Sequence, residues 1–246
     1  CKKVSKSLGG RIRLFIVGAA ELDTSLVDDF AELGIRTLQG YGLTECSPLL
    51  AGNTDFYLNA ASTGIAIPGV TLKIDNPNEA GVGEIIAKGD NIMLGYYKDQ
   101  QATDRVLRDG WFHTGDLGCM DPDGALYIKG RIKNVIVTQN GKNIYPEELE
   151  NRLMQFSEIG EVLVLGAKQK DDVLVKAKIL PNFDFLKEKL GRLPSKDDIH
   201  AAINNVIRDI NRKIPTYKQI RETEILTTVL EKTTTQKIKR FGSNMK

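Results

Sequence analysis

Residues 11–38 read RIRLFIVGAAELDTSLVDDFAELGIRTL, and this stretch indicates the fold class. Residues 11–17 have the β-branched and apolar content of a buried strand, and residues 35–38 predict a second strand. Between them, apolar side chains recur at helical spacing, and Gly34 provides a helix stop. A strand, a helix and a strand in so short a run predict a βαβ unit, which builds a largely parallel sheet covered by helices.

From Gly64 onward the pattern becomes β-rich. Turn residues at 76–78 and 121–124 separate short runs of strand composition, namely 70–74, 82–87, 116–120 and 125–129. Regularly spaced short strands of this kind are typical of a small sandwich or barrel, here with one helix predicted over 99–108. We therefore predict a βαβ unit in residues 1–62 and a β-barrel-like subdomain in residues 63–132.

Alternating strands and helices return in residues 133–246. Ser195 is a good N-cap, and the helix predicted after it carries one apolar stripe formed by Ile199, Ile203, Val206, Ile207, Ile210 and Ile214. Another helix is predicted from Pro146, because proline needs no amide partner in the first helical turn. Strands are predicted at 135–138, 161–166, 173–180 and 222–227. The predicted fold class is thus α/β followed by a small α+β carboxyl-terminal domain in residues 133–246.

The composition is that of an ordinary globular protein, with 41% hydrophobic and 27% charged residues among 246. A net charge of only +2 argues against a nucleic-acid partner. Cys1, Cys46 and Cys119 are odd in number and widely spaced, which fits neither a disulfide framework nor a CxxC metal site. No apolar run reaches the roughly 20 residues that span a bilayer, so we predict no transmembrane segment and expect a cytoplasmic protein.

The segment 39–45 (QGYGLTE) follows a predicted sheet strand, and ligands of α/β proteins bind at that edge of the sheet. Its glycines would let the backbone approach a ligand. Tyr41 could stack on a base, Thr44 could bond a phosphate oxygen, and Glu45 could help to hold Mg²⁺. The alternative is a strand-to-helix turn that Thr44 caps.

Residues 111–118 (WFHTGDLG) place Asp116 directly after a glycine at the head of a predicted strand, where its carboxylate could accept hydrogen bonds from a ribose diol. The alternative is ordinary turn chemistry without a ligand. His113 has no His, Cys, Asp or Glu neighbours at metal-ligand spacing, so we predict a structural role for it. Arg131 lies in a charged connector, residues 130–134, that could act as a hinge, and it could reach the same ribose as Asp116.

Two further segments allow both a functional and an ordinary interpretation. Residues 139–143 (QNGKN) form a tight turn, for which a simple Asn-Gly hairpin is the alternative. Residues 230–240 (LEKTTTQKIKR) form a basic run of the kind found at solvated chain ends. A flexible lysine there could also neutralise charge that develops on the α-phosphate in a reaction of a nucleoside triphosphate.

Five motifs occur in a fixed order along the chain. Residues 41–45 match YGxTE, residues 83–89 with 95–98 match a GExxxxG…GY segment, 114–116 match TGD, 130–131 match the GR before a hinge, and Lys237 matches the lysine of a GKxxR-like motif. In this order the motifs resemble the adenylate-forming superfamily of acyl-CoA synthetases, nonribosomal adenylation domains and beetle luciferases. The resemblance covers essentially the whole chain. Within the superfamily, FHTGDLG and NGKNIYPEELE look most like bacterial long-chain-type fatty acyl-CoA synthetases.

The resemblance implies a two-step reaction. A carboxylate attacks the α-phosphate of ATP to give acyl-AMP and pyrophosphate, and the thiol of coenzyme A then displaces AMP. ATP, Mg²⁺ and coenzyme A would take part, and the substrate would be a small carboxylic acid, most simply a fatty acid.

The same resemblance implies a role for each matching residue. The residues implied to bind the nucleotide are Gly18, Ala19 and Ala20 at the adenine and acyl pocket, Gly40, Tyr41, Gly42 and Thr44 around the nucleotide, with Tyr41 on adenine and Thr44 on the α-phosphate, and Asp116 and Arg131 on the ribose. The implied catalytic residues are Lys237, Thr44 and Glu45, and Glu45 would bind Mg²⁺. Lys133 would be the hinge of a domain rotation, and Gly141 and Lys142 would line the coenzyme A channel.

Parts of the family pattern do not occur in this sequence. The Thr/Ser-Gly-rich phosphate loop should precede residue 41 and nothing matches it, and the chain begins with Cys1 instead of methionine. We therefore expect the carboxyl-terminal portion of a longer enzyme, inactive alone, with an exposed strand edge in residues 1–62 that promotes self-association. Gln236 also replaces the glycine before the catalytic lysine.

Two alternatives remain open. The acyl group could pass to the pantetheine of a carrier protein, as in fatty acyl-AMP ligases, because no acceptor-side residue excludes it. The chain could also be a nucleotide-binding module without catalytic activity.

Overall fold

The computed structural model describes residues 2–18, 24–54, 57–169, 172–234, 237–240 and 244. The chain forms two compact units, residues 1–132 and 133–246. The helices of the described residues are α1 (Lys2–Ser7), α2 (Thr24–Glu32), α3 (Gln100–Val106), α4 (Pro146–Met154), α5 (Phe183–Leu190) and α6 (Lys196–Asn211). The strands are β1 (Leu14–Val17), β2 (Arg36–Tyr41), β3 (Ala51–Gly52), β4 (Ile65–Ala66), β5 (Val70–Asp75), β6 (Gly83–Gly89), β7 (Leu107–Arg108), β8 (Trp111–Met120), β9 (Leu126–Arg131), β10 (Ile136–Val137), β11 (Asn143–Ile144), β12 (Ile159–Gln169), β13 (Asp172–Pro181) and β14 (Ile220–Ile225).

The first unit contains the predicted βαβ arrangement. β1 and β2 pair in parallel, with Leu14 opposite Arg36, and α2 lies between them in the chain. β3 and β4 continue this sheet in the antiparallel direction, in the order β1-β2-β3-β4. β1 is the outer strand of that order, and Ile16 on it is 75% exposed. The described strands thus include the exposed edge expected from the sequence, whereas self-association stays a prediction.

β2 is longer than the sequence pattern suggests, since it extends past residue 38 to Tyr41. Gly40 and Tyr41 pair with Gly52 and Ala51 of β3, a partner strand that a local pattern does not reveal. The QGYGLTE segment therefore begins inside the sheet, and not after it as predicted.

The predicted β-rich subdomain is a five-stranded antiparallel sheet, in the order β5-β6-β8-β7 with β9 also on β8. The strand predicted at 116–120 is only the second half of β8, which begins at Trp111 because its first half pairs with β6 and β7. The core of this unit contains Cys46, Leu50, Ile85, Phe112 and Leu126.

The helix predicted over 99–108 ends at Val106, and residues 107–108 form β7. Asp109 and Gly110 take positive φ values of 52° and 77°, which close a tight hairpin turn between β7 and β8. The helix prediction was therefore too long by two residues at its carboxyl end, since the turn redirects them into the sheet, and Asp99 is the N-cap.

The second unit is built on a three-stranded sheet in the order β12-β13-β14. β12 and β13 form an antiparallel hairpin, and β14 lies parallel to β13. Both hairpin strands exceed their predicted lengths because they pair with each other almost throughout. α4 and α6 pack on this sheet, and the predicted apolar stripe of α6 is buried at Ile203, Val206, Ile207 and Ile210.

α5 is absent from the sequence-based prediction. This helix has only eight residues, and a cap marks each of its ends. The Asn182 side chain accepts the N–H of Phe185, and Gly191 ends the helix at a φ of 66°. None of the helices in the described part of the chain is long and apolar enough to cross a membrane.

Candidate functional site

A carboxylate held between a phenol and a guanidinium forms the centre of the candidate site. The Tyr41 hydroxyl, at the end of β2, donates a hydrogen bond to Oδ2 of Asp116 at 2.8 Å. Nε of Arg131, at the end of β9, lies 2.6 Å from Oδ1 of the same carboxylate. Tyr41 and Asp116 are buried, whereas the Arg131 side chain is 43% exposed. The structure thus brings together three residues that the sequence singles out.

Burial, together with the nearby charge of Asp116, raises the pKa of the Tyr41 hydroxyl far above its ordinary value of 10.0. Tyr41 therefore stays protonated at physiological pH and acts as a hydrogen-bond donor. A carboxylate oxygen can accept more than one hydrogen bond.

A bulge in β8 places Asp116. Gly115 has a φ of 70°, a conformation that other residues rarely adopt, and the pairing of β6 with β8 changes register at this point. Its N–H donates to Oε1 of Glu84 at 3.0 Å. The Thr114 hydroxyl donates to the carbonyl of Ile85 at 2.7 Å and accepts the N–H of Asp116 at 3.1 Å. Asp116 is therefore in the interior of a bulged strand, which corrects the prediction that it begins a strand.

His113 has carboxylate neighbours in space that its sequence neighbourhood does not show. Nδ1 of His113 lies 2.8 Å from Oε2 of Glu84, and Asp75 completes a group whose ligand-type atoms lie within 4.8 Å of one another. These partners come from the neighbouring strands β5 and β6, so sequence spacing along β8 does not reveal them. Arg108 lies 3.9 Å from the same oxygen of Glu84. The two oxygens of Glu84 thus join His113 to the bulge that positions Asp116.

Thr44 and Glu45 lie in a 3₁₀ turn, Thr44–Cys46, which two residues separate from the end of β2. Thr44 is not a helix cap, because Leu43 occupies the cap position and no side chain caps the turn. Glu45 is half-buried, and its Oε1 accepts a hydrogen bond from the Tyr96 hydroxyl at 2.9 Å. Tyr96 was given no role from the sequence, although Gly95-Tyr96 is one of the matched motifs.

Close packing against backbone requires a glycine at position 42, whereas Gly40 and Gly18 have looser surroundings. A Cβ at Gly42 would lie 1.9 Å from the carbonyl oxygen of Pro48, and one at Gly40 would lie 2.9 Å from Leu49. Gly18 follows β1, and a Cβ there would contact the carbonyl of Gly40 at 3.8 Å. Ala19 and Ala20, which were assigned to the adenine and acyl pocket, lie outside the described residues.

Two models of known protein families match this chain. Residues 1–97 match the family model of AMP-binding enzymes, and residues 133–241 match that of the AMP-binding enzyme C-terminal domain. The chain belongs to the adenylate-forming superfamily. The two matches follow the order expected from the motifs.

Named relatives of this superfamily support the assignment. The chain is 34% identical over 254 residues to the long-chain-fatty-acid–CoA ligase FadD15 of Mycobacterium bovis, covering 97% of this chain and 41% of the relative. It is 38% identical over 162 residues to the indoleacetate–CoA ligase of Aromatoleum aromaticum, covering 63% of this chain and 32% of the relative. The chain therefore spans less than half the length of these curated relatives.

A solved structure of the superfamily shows the same fold. The crystal structure of ATP-bound MatB from Rhodopseudomonas palustris matches with a TM-score of 0.77 and 26% identity, covering 97% of this chain and 46% of that chain. The α/β and α+β architecture is thus that of adenylate-forming enzymes.

The remaining residues assigned from the superfamily lie at the end of the first unit and in the second. Gly130 and Arg131 end β9 and pair with β8, so they are not part of a connector as predicted. Lys133 lies in a 3₁₀ turn, Ile132–Asn134. Gly141 has a φ of 71° and closes the β10–β11 hairpin, in agreement with the Asn-Gly hairpin interpretation, and Lys142 beside it is exposed.

Lys237 is described and exposed, and its N–H donates to Oγ1 of Thr233 at 3.2 Å. Gln236 lies outside the described residues. The basic run is not simply a solvated end, because Lys232 and Arg240 form ion pairs with Glu161 and Glu150. Neither carboxylate was singled out from the sequence, because both are far from Lys237 along the chain.

Proposed function

We propose that this chain supplies the nucleotide site and the catalytic lysine of an AMP-forming acid–thiol ligase that converts a carboxylic acid, ATP and coenzyme A into acyl-CoA. The observation that carries the proposal is the Asp116 carboxylate, held between the Tyr41 hydroxyl and the Arg131 guanidinium. Membership of the adenylate-forming superfamily supports it.

The proposed reaction proceeds in two substitution steps, each with its own leaving group. A carboxylate oxygen of the acid attacks the α-phosphorus of ATP, and the bond to the bridging oxygen breaks, so pyrophosphate leaves and acyl-AMP forms. The thiol of coenzyme A then loses its proton and attacks the acyl carbon, and the bond to the phosphate oxygen breaks, so AMP leaves.

Asp116 and Arg131 are the proposed ribose contacts. The carboxylate accepts from a diol, and the half-exposed guanidinium donates to a ribose or phosphate oxygen. Both side chains are already fixed by their mutual ion pair, so binding costs little further ordering. Tyr41 contributes its ring as the proposed adenine contact, while its hydroxyl orients Asp116.

Glu45 fits the proposed Mg²⁺ role because it offers a half-buried carboxylate in the turn that follows the strand ending at Tyr41. Mg²⁺ is bound in proteins through one or two carboxylates together with substrate phosphates. When bound there, the ion would screen the phosphate charges against the incoming carboxylate. The Tyr96 hydroxyl fixes one oxygen of Glu45. Thr44 beside it is half-buried, and its hydroxyl is the proposed contact of the α-phosphate.

Lys237 is the proposed catalytic cation of the first step. Its ammonium would stabilise the negative charge that develops on the α-phosphate oxygens. Gly141 and Lys142 are the proposed contacts of the coenzyme A arm, and Lys133 is the proposed hinge. A fatty acid is the proposed acid, which the name of the Mycobacterium bovis relative supports.

A product assay tests the proposal. The protein, expressed at its natural full length, is incubated with ATP, Mg²⁺ and a panel of short to long acids, with and without coenzyme A. Acyl-AMP and acyl-CoA are then measured by mass spectrometry. We expect acyl-CoA from a fatty acid, and a fall in acyl-AMP formation of about 100-fold in Lys237→Ala. Lys187→Ala, an exposed lysine on α5, is the matched control.

Other outcomes of this assay contradict the proposal. Acyl-AMP that accumulates without conversion by coenzyme A would indicate a carrier-protein ligase. Absence of both products with every acid of the panel would favour a nucleotide-binding module.

A further inference from the structure

Lys237 lies on a short hairpin, here called the lysine hairpin and comprising residues 230–234 and 237–240. Lys232 and Ile238 form an antiparallel bridge, and the N–H of Thr233 donates to the carbonyl of Lys237 at 2.7 Å. A two-stranded hairpin is at best marginally stable alone in water. Contacts with the rest of the second unit must therefore hold the lysine hairpin in place.

Glu161 of β12 anchors the first side of the lysine hairpin. Its Oε2 accepts the N–H of Leu230 at 2.8 Å, and its Oε1 lies 2.5 Å from Nζ of Lys232. Leu230 is buried, which fixes this side by packing as well.

Glu150 of α4 anchors the other side, through Arg240. Nη2 of Arg240 is bonded to Oε2 of Glu150, and Nη1 donates to the carbonyl of Val164 at 2.8 Å. The second oxygen of Glu150 accepts the N–H of Val164 at 2.6 Å. Val164 lies on β12, the outer strand of the three-stranded sheet. One closed set of hydrogen bonds therefore joins α4, β12 and the lysine hairpin.

This contact lies largely out of the solvent, since the side chains of Glu150 and Arg240 are 16% and 20% exposed. Glu147 is the other charged group beside it, with Oε1 at 3.6 Å from Nη2 of Arg240. Charge-assisted hydrogen bonds of this kind are short and directional. Among the described residues, removing the Glu150 carboxylate would leave the Arg240 guanidinium with only the longer contact to Glu147 as an ion pair. An amide at position 150 would keep the shape of the side chain but not the charge that Arg240 requires.

We propose that Glu150 is a positioning residue for Lys237, because through Arg240 it fixes the lysine hairpin on α4 and β12. The inference rests on the proposed role of Lys237 in adenylation. Glu150 contacts Arg240 and Val164, so it acts on the reaction through Arg240. Loss of the carboxylate should then impair the half-reaction that uses Lys237 and leave the other half-reaction unchanged.

The test compares Glu150→Gln with Glu188→Gln in the full natural chain, since Glu188 is an exposed glutamate on α5 of the same unit. Adenylation is measured as acid-dependent exchange of pyrophosphate into ATP, and thioester formation is measured separately from supplied acyl-AMP and coenzyme A. We expect Glu150→Gln to lower kcat of adenylation about tenfold or more, with KM for ATP changed by less than about twofold. Thioester formation should proceed at the rate of the control.

Two further measurements separate positioning from folding. Amide hydrogen exchange should become faster in residues 230–240 of Glu150→Gln and stay unchanged in α6. Arg240→Gln should reproduce the loss, and the double variant should add nothing to it, because both changes remove one contact. Arg240→Gln also decides the question if Glu150→Gln does not fold.

Adenylation by Glu150→Gln at the rate of Glu188→Gln would overturn the inference. So would an equal loss in both half-reactions with faster exchange throughout the second unit. Full adenylation by Lys237→Ala would contradict only the proposed catalytic role of Lys237. Hydrogen exchange in the lysine hairpin would still decide whether Glu150 holds that hairpin in place.

Discussion

At the scale of single residues, we expect the hydroxyl of Tyr41 to stabilise the fold through its hydrogen bond with Asp116. It is buried and bonded to Asp116, so Tyr41→Phe removes a charge-assisted hydrogen bond and leaves a carboxylate oxygen with one partner fewer. We expect the free energy of unfolding to fall by about 1–3 kcal/mol. Urea unfolding of the two proteins measures it, with Tyr97→Phe as the control because Tyr97 is 88% exposed. Equal losses in both variants would contradict this account.

The thiol of Cys46 provides a second prediction at this scale. Burial raises the pKa of Cys46 to about 11, the charge of Glu45 adds to the rise, and the side chain has no exposed surface. Because the thiolate is the reactive form, iodoacetamide should modify the partly exposed Cys119 well before Cys46 in the folded protein. Peptide mass spectrometry after timed labelling measures this order. The two rates should converge in denaturant, and equal rates in the folded protein would show that the prediction is wrong.

At the scale of secondary structure, α6 illustrates a helix that its own sequence encodes. Ser195 accepts the N–H of Asp198, and Asp198 accepts the N–H of Ser195, so the helix begins with a capping box. Ser195→Ala should lower the free energy of unfolding by about 1 kcal/mol, because one amide at the helix start loses its partner. Thermal unfolding tests it against Ser157→Ala, an exposed serine in a turn. A smaller effect for Ser195→Ala than for Ser157→Ala would contradict the role of the cap.

The contact of α4 with the lysine hairpin leads to a dependence of stability on pH. Burial raises the pKa of Glu150 from 4.5 to about 7, although Arg240 and the Val164 amide lower it, and Glu147 adds to the rise. Between these values the folded carboxyl keeps a proton that the unfolded one has lost. The free energy of unfolding should therefore fall from pH 4.5 to 7 relative to Glu150→Gln.

Urea unfolding of the chain and of Glu150→Gln, at several pH values across this window, measures the difference. A difference that stays constant, or that increases with pH in favour of Glu150, would contradict the raised pKa. Ionisation of the buried Glu150 carboxyl thus lowers stability as the pH rises, because burial disfavours the charged form.

At the scale of the whole molecule, sequence patterns predict what is encoded locally. The βαβ unit and α6 can be predicted from hydrophobic periodicity and helix caps. Asp116 and Arg131 can be singled out as site residues because they lie in the ordered motifs. Contacts between distant positions are not encoded in this way. Tyr41 and Asp116 are 75 residues apart, and Glu150 and Arg240 are 90 residues apart. Strand register and bulges decide these pairs, and a single sequence does not reveal either of them.

Asp116, with its partners Tyr41 and Arg131, is the proposed ribose site of the chain. The most direct measurement is titration calorimetry of the full natural chain with AMP and with 2′,3′-dideoxy-AMP, comparing Asp116→Ala with Asp123→Ala, an exposed turn aspartate. The account predicts that Asp116→Ala weakens AMP binding about tenfold or more and leaves binding of the dideoxy analogue unchanged. Equal affinity of AMP for Asp116→Ala and Asp123→Ala would contradict it.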